Sequence, residues 1–368
     1  MRIAILGTRG IPARYGGFET FAEQLANRLA RDGHEVVVYC RRAFAEPGDV
    51  LAAGVRRVVL PGLPSKHLDT LWHTALSTFH VLAEPADVVL ICNVANSLFA
   101  WIPRLFGKPT VLNVDGLDRK RRKWNALGRG FLLFCEMLSA VAPTRVVTDS
   151  FAIREYYRRR YRCSSTMIAY GAEAPAEVAG PQQFGLTPGA YLLYVSRLEP
   201  ENNPELVIRA YREVETGWPL AIVGGNPYQP EYVERLKALA DPRVVFTGSV
   251  YGEGYWSLQK GAAVYVSACE IGGTHPTLVE AMAAANAVLY LDTPENRETM
   301  ADAGIPFRPE VADLAEAMRT LLRDQARRTE LACRGQARAR RHYSWDAIAA
   351  QYERLFAELL ADKPPSRD

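Results

Sequence analysis

Arg2-Ile3-Ala4-Ile5-Leu6-Gly7-Thr8-Arg9-Gly10-Ile11-Pro12, continued by Tyr15-Gly16-Gly17-Phe18-Glu19 and closed at Asp32-Gly33, is the stretch that sets the fold class. Its first residues form a short apolar run of the length of a buried strand. Phe18, Phe21, Ala22, Leu25 and Leu29 then fall on one helical face, and Asp32-Gly33 reads as the helix stop. The pattern recurs outward along the chain. Apolar runs near 35–40, 56–60, 87–92, 109–113 and 144–148 complete a first half. Runs near 190–195, 219–223, 243–247, 262–267 and 287–291 make a second. Strands alternating with helices imply parallel sheets covered on both faces, an α/β architecture.

At 368 residues the chain is long for one domain and comfortable for two. The boundary is expected within 171–188, where Ala, Pro, Gly and Gln replace the periodic pattern; this divides the chain into 1–175 and 176–344. A last helix, about 345–361, follows the second alternation, and the tail from Lys363 to Ser366 is expected to be disordered. With 48% hydrophobic and 23% charged residues and no solenoid-length repeat, the composition is that of a soluble globular protein. Six cysteines stand singly, without metal or redox spacing, as reduced thiols of a cytoplasmic protein would. A strand starting at Arg2 leaves no room for a signal peptide. The longest apolar stretch, Phe131 to Val147, contains Glu136 and Pro143 and is too short to span a bilayer.

Net charge is only +3 but unevenly spread. Residues 1–175 hold 24 Lys/Arg against 15 Asp/Glu, and the remainder 20 against 26. A basic first half points to an anionic partner: nucleic acid, membrane or phosphorylated substrate.

Ligands of open parallel sheets bind beyond the carboxyl ends of the strands, and four segments at such positions carry unusual chemistry. Gly16 and Gly17 precede a helix, where backbone amides can approach an anion; the plainer reading is a flexible loop. Asp115, in Asn113-Val114-Asp115-Gly116-Leu117-Asp118, ends a buried strand and is followed by five cations, Arg119 to Lys123. That run is either a solvated face or a contact for an anionic acceptor or lipid headgroups. Arg197 ends the first strand of the second half, placed to grip two phosphate oxygens with its fork. Gly273, Thr274 and His275 lead into a helix starting at Pro276, with Glu280 about one turn inside. His275 is equally an ordinary loop histidine.

Taken together, these segments resemble the family-4 retaining glycosyltransferases of the GT-B fold, over nearly the whole chain. Tyr15 to Glu19 is similar to that family's Gly-Gly-x-Glu loop, and Ser196-Arg197 to Asn203 to its diphosphate motif. Thr277 to Met282 is similar to its Glu-Ala-Met helix, and Tyr343-Ser344-Trp345-Asp346 to the segment that crosses back to the N-terminal domain. The resemblance implies two Rossmann-like domains facing across a cleft, the first holding an acceptor and the second a nucleotide-sugar. It implies no cofactor, no metal and retained anomeric configuration. Arg197, Asn202, Gly16, Gly17, Gly273, Thr274 and His275 would serve the diphosphate, and Glu280 the ribose. Asn202 stands where the family has lysine. Gly272 stands where it has a glutamate for the sugar, with Glu270 displaced by two. Asp115, Arg197 and Glu270 are the candidate catalytic residues.

These departures, with Gly7 to Pro12 and Asp115-Gly116-Leu117, resemble a subgroup containing rhamnosyltransferases of bacterial surface polysaccharides. They make dTDP-L-rhamnose the expected donor, with a saccharide or lipid-linked acceptor. A UDP- or GDP-hexose donor is the alternative, as is a sugar-nucleotide 2-epimerase of the same fold. A nicotinamide oxidoreductase would need the dinucleotide glycine fingerprint, which is lacking, and a nucleic-acid binder a recognition motif. The clusters Arg119–Lys123 and Arg154, Arg158, Arg159, Arg160 and Arg162, with Tyr157 and Tyr161 interleaved, predict peripheral contact with the inner membrane face.

Overall fold

The computed structural model describes residues 1–14, 16–63, 68–122 and 124–362. They divide into two compact units, Met1–Tyr170 with the segment from Trp345 onward, and Gly171–Ser344. The first runs β1 (Arg2–Leu6), α1 (Gly17–Arg31), β2 (Glu35–Arg41), β3 (Val55–Leu60), α2 (Asp69–Ala83), β4 (Val88–Cys92) and α3 (Ser97–Leu105). It continues with β5 (Thr110–Val114), α4 (Ala126–Ser139), β6 (Arg145–Thr148), α5 (Phe151–Tyr161) and β7 (Ser165–Met167). The second runs β8 (Leu192–Val195), α6 (Pro204–Arg212), β9 (Leu220–Val223), α7 (Pro230–Leu239), β10 (Val244–Gly248), α8 (Gly252–Gly261) and β11 (Val264–Ser267). It ends with α9 (Pro276–Ala283), β12 (Ala287–Leu291), α10 (Pro294–Met300), β13 (Gly304–Phe307), α11 (Val311–Arg323) and α12 (Gln325–His342). Helix α13 (Trp345–Ala361) belongs to the first unit.

Both sheets are parallel, in the orders β3-β2-β1-β4-β5-β6-β7 and β10-β9-β8-β11-β12-β13. Central strands such as β1, β4 and β5 are buried on both faces, which is why they read as unbroken apolar runs. Two strands escape the apolar-run reading. Strand β7 is three residues of Ser-Thr-Met, and β13 is Gly-Ile-Pro-Phe. Both lie at sheet edges, where short length and a proline are tolerated because one side of the ladder is unpaired. All six cysteines are free thiols. Among the described residues no helix is long and apolar enough to cross a membrane.

Helix α13 packs on α1 and closes the first core. Tyr352 is its key: the ring is fully buried against Phe21 (centroids 5.4 Å apart) and Phe356 (5.8 Å). Its hydroxyl accepts a hydrogen bond from Asn113 Nδ2 at 2.7 Å, at the end of β5. Arg28 and Arg31 of α1 hold Asp346 at 2.8 and 3.2 Å, a surface contact that contributes little. Tyr352→Ala should therefore cost about 3–5 kcal/mol through the lost ring. Tyr352→Phe should cost about 1–3 kcal/mol through Asn113's stranded amide. Urea unfolding measures both; equal losses would show that the ring contributes nothing.

Candidate functional site

An open parallel sheet has a crevice where strands diverge in order from a central pair, at the carboxyl ends of those strands. In the second sheet that pair is β8 and β11. Arg197 follows β8 and the 268–275 loop follows β11, so Arg197, Glu270, Gly273, Thr274 and His275 converge there. The Arg197 side chain is 43% exposed, its guanidinium 3.8 Å from Glu199. The backbone beneath it is fixed. Asn202 Nδ2 donates to the Arg197 carbonyl at 2.7 Å, and the Tyr194 hydroxyl donates to the Asn202 carbonyl at 2.7 Å. Asn202 is itself buried, so its side chain braces the loop that presents Arg197.

The turn after β9 presses on the same loop. A Cβ on Gly224, which sits at φ +134°, would lie 1.8 Å from the Ser196 carbonyl oxygen. Leu198 N donates to the Gly225 carbonyl at 3.2 Å, and Asn226 Nδ2 to the Leu198 carbonyl at 3.1 Å. Two glycines directly after an apolar run were the sequence signal for this turn, which is not among the four segments above.

Asn203, in the left-handed region at φ 55°, donates through Nδ2 to the Ala268 carbonyl at 2.9 Å and to Glu270 Oε1 at 3.1 Å. These bonds tie the loop after β8 to the loop after β11. His275 leans on Gly272, where a Cβ would come 2.6 Å from its Cε1. Helix α9 starts at Pro276, with Gly273 and Thr274 buried just before it. Glu280 accepts a hydrogen bond from the Tyr255 hydroxyl of α8. Gln259 Nε2 donates to that hydroxyl at 2.8 Å, and Asn286 Nδ2 to Gln259 Oε1 at 3.1 Å. Burial pushes the Glu280 carboxyl above its ordinary value, with the Tyr255 hydrogen bond pulling the other way. Tyr255 could not be found by spacing, because its partner is 25 positions distant.

In the first sheet the diverging pair is β1 and β4. A Cβ on Gly7 would lie 2.4 Å from the Cys92 carbonyl oxygen, so the loop leaving β1 hugs the end of β4. Two carboxylates of α1 hold that loop: Glu19 accepts from the Arg9 amide at 2.8 Å and Glu23 from the Ala13 amide at 2.9 Å. Burial raises the Glu19 carboxyl and the Arg9 amide opposes it. Gly17 opens α1, with Gly16 as its N-cap; Tyr15 lies outside the described residues. Asp115 follows β5, next to β4. Tyr170 links these positions, since its ring packs edge-on against Phe18 and Phe21 at 6.2 and 5.4 Å. Burial raises the Tyr170 phenol well above its usual range, and the Asp115 charge adds to the effect. Asp115 and the Gly16-Gly17 turn thus share one edge of the first unit.

Arg41, at the end of β2, joins this edge without having been singled out. Its amide donates to the Arg9 carbonyl at 2.9 Å, and its guanidinium meets Asp69 at 2.5 Å and Thr70 at 3.1 Å. His73, one turn into α2, is fully buried; burial first, then Arg41, pushes its imidazole down to about 4.

The basic segments differ from expectation. Arg119 is turned inward, its guanidinium on Glu136 at 2.9 Å and on the Tyr156 hydroxyl at 2.8 Å. Arg121 pairs with Asp118 at 2.7 Å, and Lys123 lies outside the described residues. Tyr157 and Tyr161 do not stand among headgroups. Tyr157 is fully buried with its hydroxyl 2.9 Å from Ser139 Oγ, and the Tyr161 hydroxyl donates to Glu136 at 2.6 Å. A buried tyrosine seeks a partner for its hydroxyl, and these two found theirs in the core. Arg158 and Arg159 both pair with Glu155. Among the described residues no group of three His, Cys, Asp or Glu is placed to hold a metal.

Comparison with known proteins identifies both halves. A family model described as "Glycosyl transferase 4-like domain" matches residues 16–170, and one described as "Glycosyl transferases group 1" matches 189–324. No curated protein matches significantly. Among solved structures, sucrose-phosphate synthase from Thermosynechococcus elongatus is 20% identical with a TM-score of 0.86, over 98% of this chain and 99% of that one. HepE of Anabaena, in complex with UDP-glucose, is 17% identical with a TM-score of 0.77, over 97% and 100%. WaaG, a glycosyltransferase involved in lipopolysaccharide biosynthesis, is 16% identical with a TM-score of 0.72, over 96% and 99%. A 4-like domain followed by a group 1 domain, each built on its own parallel sheet, makes this chain a glycosyltransferase of the GT-B fold.

Proposed function

We propose that the chain is a retaining, metal-independent glycosyltransferase that moves L-rhamnose from dTDP-L-rhamnose to a hydroxyl of a saccharide or lipid-linked acceptor in surface polysaccharide synthesis. The observation that carries the reading is the Arg197 loop: its guanidinium stands exposed at the β8/β11 divergence while Asn202 and Asn226 fix its backbone. The unit 171–344 holds the donor and the unit containing β1 to β7 holds the acceptor. In the reaction the bond from the anomeric carbon to the diphosphate oxygen breaks, and the acceptor oxygen attacks from the same face. The acceptor proton passes to the departing diphosphate. Arg197 and the backbone amides at Gly273 and Thr274 carry the developing charge, with His275 and the Gly16-Gly17 amides as further diphosphate contacts. Asn202 supports Arg197 in place of touching phosphate. Glu270 faces the sugar, Glu280 the ribose, and Asp115 positions the acceptor hydroxyl. The charge of the basic half contributes peripheral contact with an anionic membrane, where a lipid-linked acceptor would be met.

The UDP-glucose bound to HepE favours one second reading, a UDP-hexose donor in the same site. A panel of dTDP-, UDP- and GDP-sugars, read by release of nucleoside diphosphate with and without acceptor, tests both. Release only with dTDP-L-rhamnose supports the first. Interconversion of donors without acceptor would replace transfer by epimerisation.

Arg197→Ala should lower kcat about 10²–10³-fold, the loss of a charge-assisted grip on the leaving group. Turnover within a factor of about three of wild type would remove Arg197 from the mechanism.

Glu280→Gln should act oppositely on stability and on binding. A carboxyl raised in the folded state contributes stability that is complete below its ordinary value of 4.5 and lost as pH rises through the raised value. Glutamine keeps an acceptor for Tyr255 without the charge. The unliganded variant should therefore melt higher than wild type at alkaline pH, with the gain vanishing as pH falls toward 4.5. Nucleoside diphosphate should meanwhile bind on the order of tenfold more weakly by calorimetry, with a smaller effect on kcat. Unchanged affinity would mean that Glu280 serves the fold alone.

A further inference from the structure

The hydrogen bonds that reach Glu280 run in one direction. Asn286 Nδ2 donates to Gln259 Oε1 at 3.1 Å, and Gln259 Nε2 donates to the Tyr255 hydroxyl at 2.8 Å. With its oxygen engaged from that side, Tyr255 turns its proton to Glu280 Oε2. Gln259 and Asn286 are buried, so the relay is anchored in the interior of the second unit. A buried relay fixes each member, because breaking one bond strands the next polar group. Glu280 therefore presents its two carboxylate oxygens unequally. Oε2 is held by the tyrosine, whereas among the described residues Oε1 has no hydrogen-bond partner, and Glu280 itself is only partly covered on α9.

That asymmetry sets how many hydroxyls the carboxylate can read. A ribose offers a cis-diol, and a carboxylate with both oxygens open can grip it with two parallel hydrogen bonds, one to each oxygen. With Oε2 committed to Tyr255, one hydroxyl can be taken at Oε1. A second hydroxyl would come against an oxygen whose partner is already seated. It would lose water without gaining a bond, which costs free energy. A 2′-deoxyribonucleoside 5′-diphosphate carries only the 3′-hydroxyl and leaves no such group stranded.

We propose that Tyr255 is a positioning residue that sets nucleotide specificity: by occupying Glu280 Oε2 it restricts the site to one ribose hydroxyl, so that 2′-deoxyribonucleoside diphosphates are the class it takes. This rests on Glu280 as the ribose contact and names the nucleotide class for that same site. The relay selects the sugar of the nucleotide, and the base is selected elsewhere.

Three ligands with one base isolate the sugar. dTDP and 5-methyl-UDP differ by the 2′-hydroxyl alone, and 3′-deoxythymidine diphosphate lacks the 3′-hydroxyl of dTDP. Calorimetry on the full chain gives their dissociation constants. Wild type should bind 5-methyl-UDP no more tightly than dTDP, and 3′-deoxythymidine diphosphate about tenfold more weakly, the effect of one hydrogen bond to a carboxylate. Tyr255→Phe keeps the ring and frees Oε2, so 5-methyl-UDP should then bind about tenfold more tightly than dTDP. A tyrosine that only supported the fold would weaken all three ligands together and leave their ratios unchanged; that result overturns the proposal. So does a wild type that already prefers 5-methyl-UDP, a measurement that needs no variant and stands even if Tyr255→Phe does not fold. Equal wild-type affinity for all three places Glu280 away from the ribose and overturns the proposal with its basis. Binding of none of them overturns the donor site read above.

Discussion

A parallel strand cannot reach its neighbour by a tight turn; the chain must cross back over the sheet, and a helix is the shortest way to bury that crossing. Everything functional in this chain follows from that constraint. Because every strand points the same way, every loop leaving a strand's carboxyl end emerges on one edge of its sheet. The first sheet delivers Gly7, Gly16, Arg41 and Asp115 to such an edge, and the second delivers Arg197, Gly224 and Glu270. Residues far apart in sequence thus become neighbours through topology.

Neighbouring loops on one edge must share very little room, and the glycines mark where they touch. At Gly224 a side chain would collide with the Ser196 carbonyl, and at Gly7 with that of Cys92. The closeness brings polar side chains within reach of backbone. Asn202, Asn203 and Asn226 each donate to a carbonyl of another loop position, so the backbone that carries Arg197 is tied to its neighbours. Electrostatic stabilisation of a leaving group depends on charge that need not reorganise when the reaction occurs. Under the function proposed above, a guanidinium on a braced loop would meet that requirement, with Asn202 holding the Arg197 carbonyl.

How much of this was legible depended on the range of the interaction. Eleven strands announced themselves as apolar runs because burial on both faces imposes that pattern. Strands β7 and β13 did not, since an edge tolerates polar residues and Pro306. The places of Arg197 after a strand and of Glu280 in a helix were legible because local order fixes where they emerge. Their supports were not. Tyr255 is 25 positions from Glu280, and Asp69 is 28 positions from Arg41; only the fold joins them. The basic run was legible as charge but not as geometry, because a string of cations does not say which guanidinium turns inward.

That last gap bears on how net charge should be read. The excess of cations in the first half fixes its net charge, but which of those cations face outward depends on which are paired inside the unit. Arg14 and Arg57 both meet Asp49 at 2.6 and 2.5 Å, holding its carboxyl down to about 2. Arg41 is committed to Asp69 and Arg119 to Glu136. A cation facing a carboxylate at such distances presents little field beyond a Debye length, whatever the count says. Counting charges gives the sign of the first half; the side-chain pairing shows which of its guanidiniums are held by a carboxylate of the same unit.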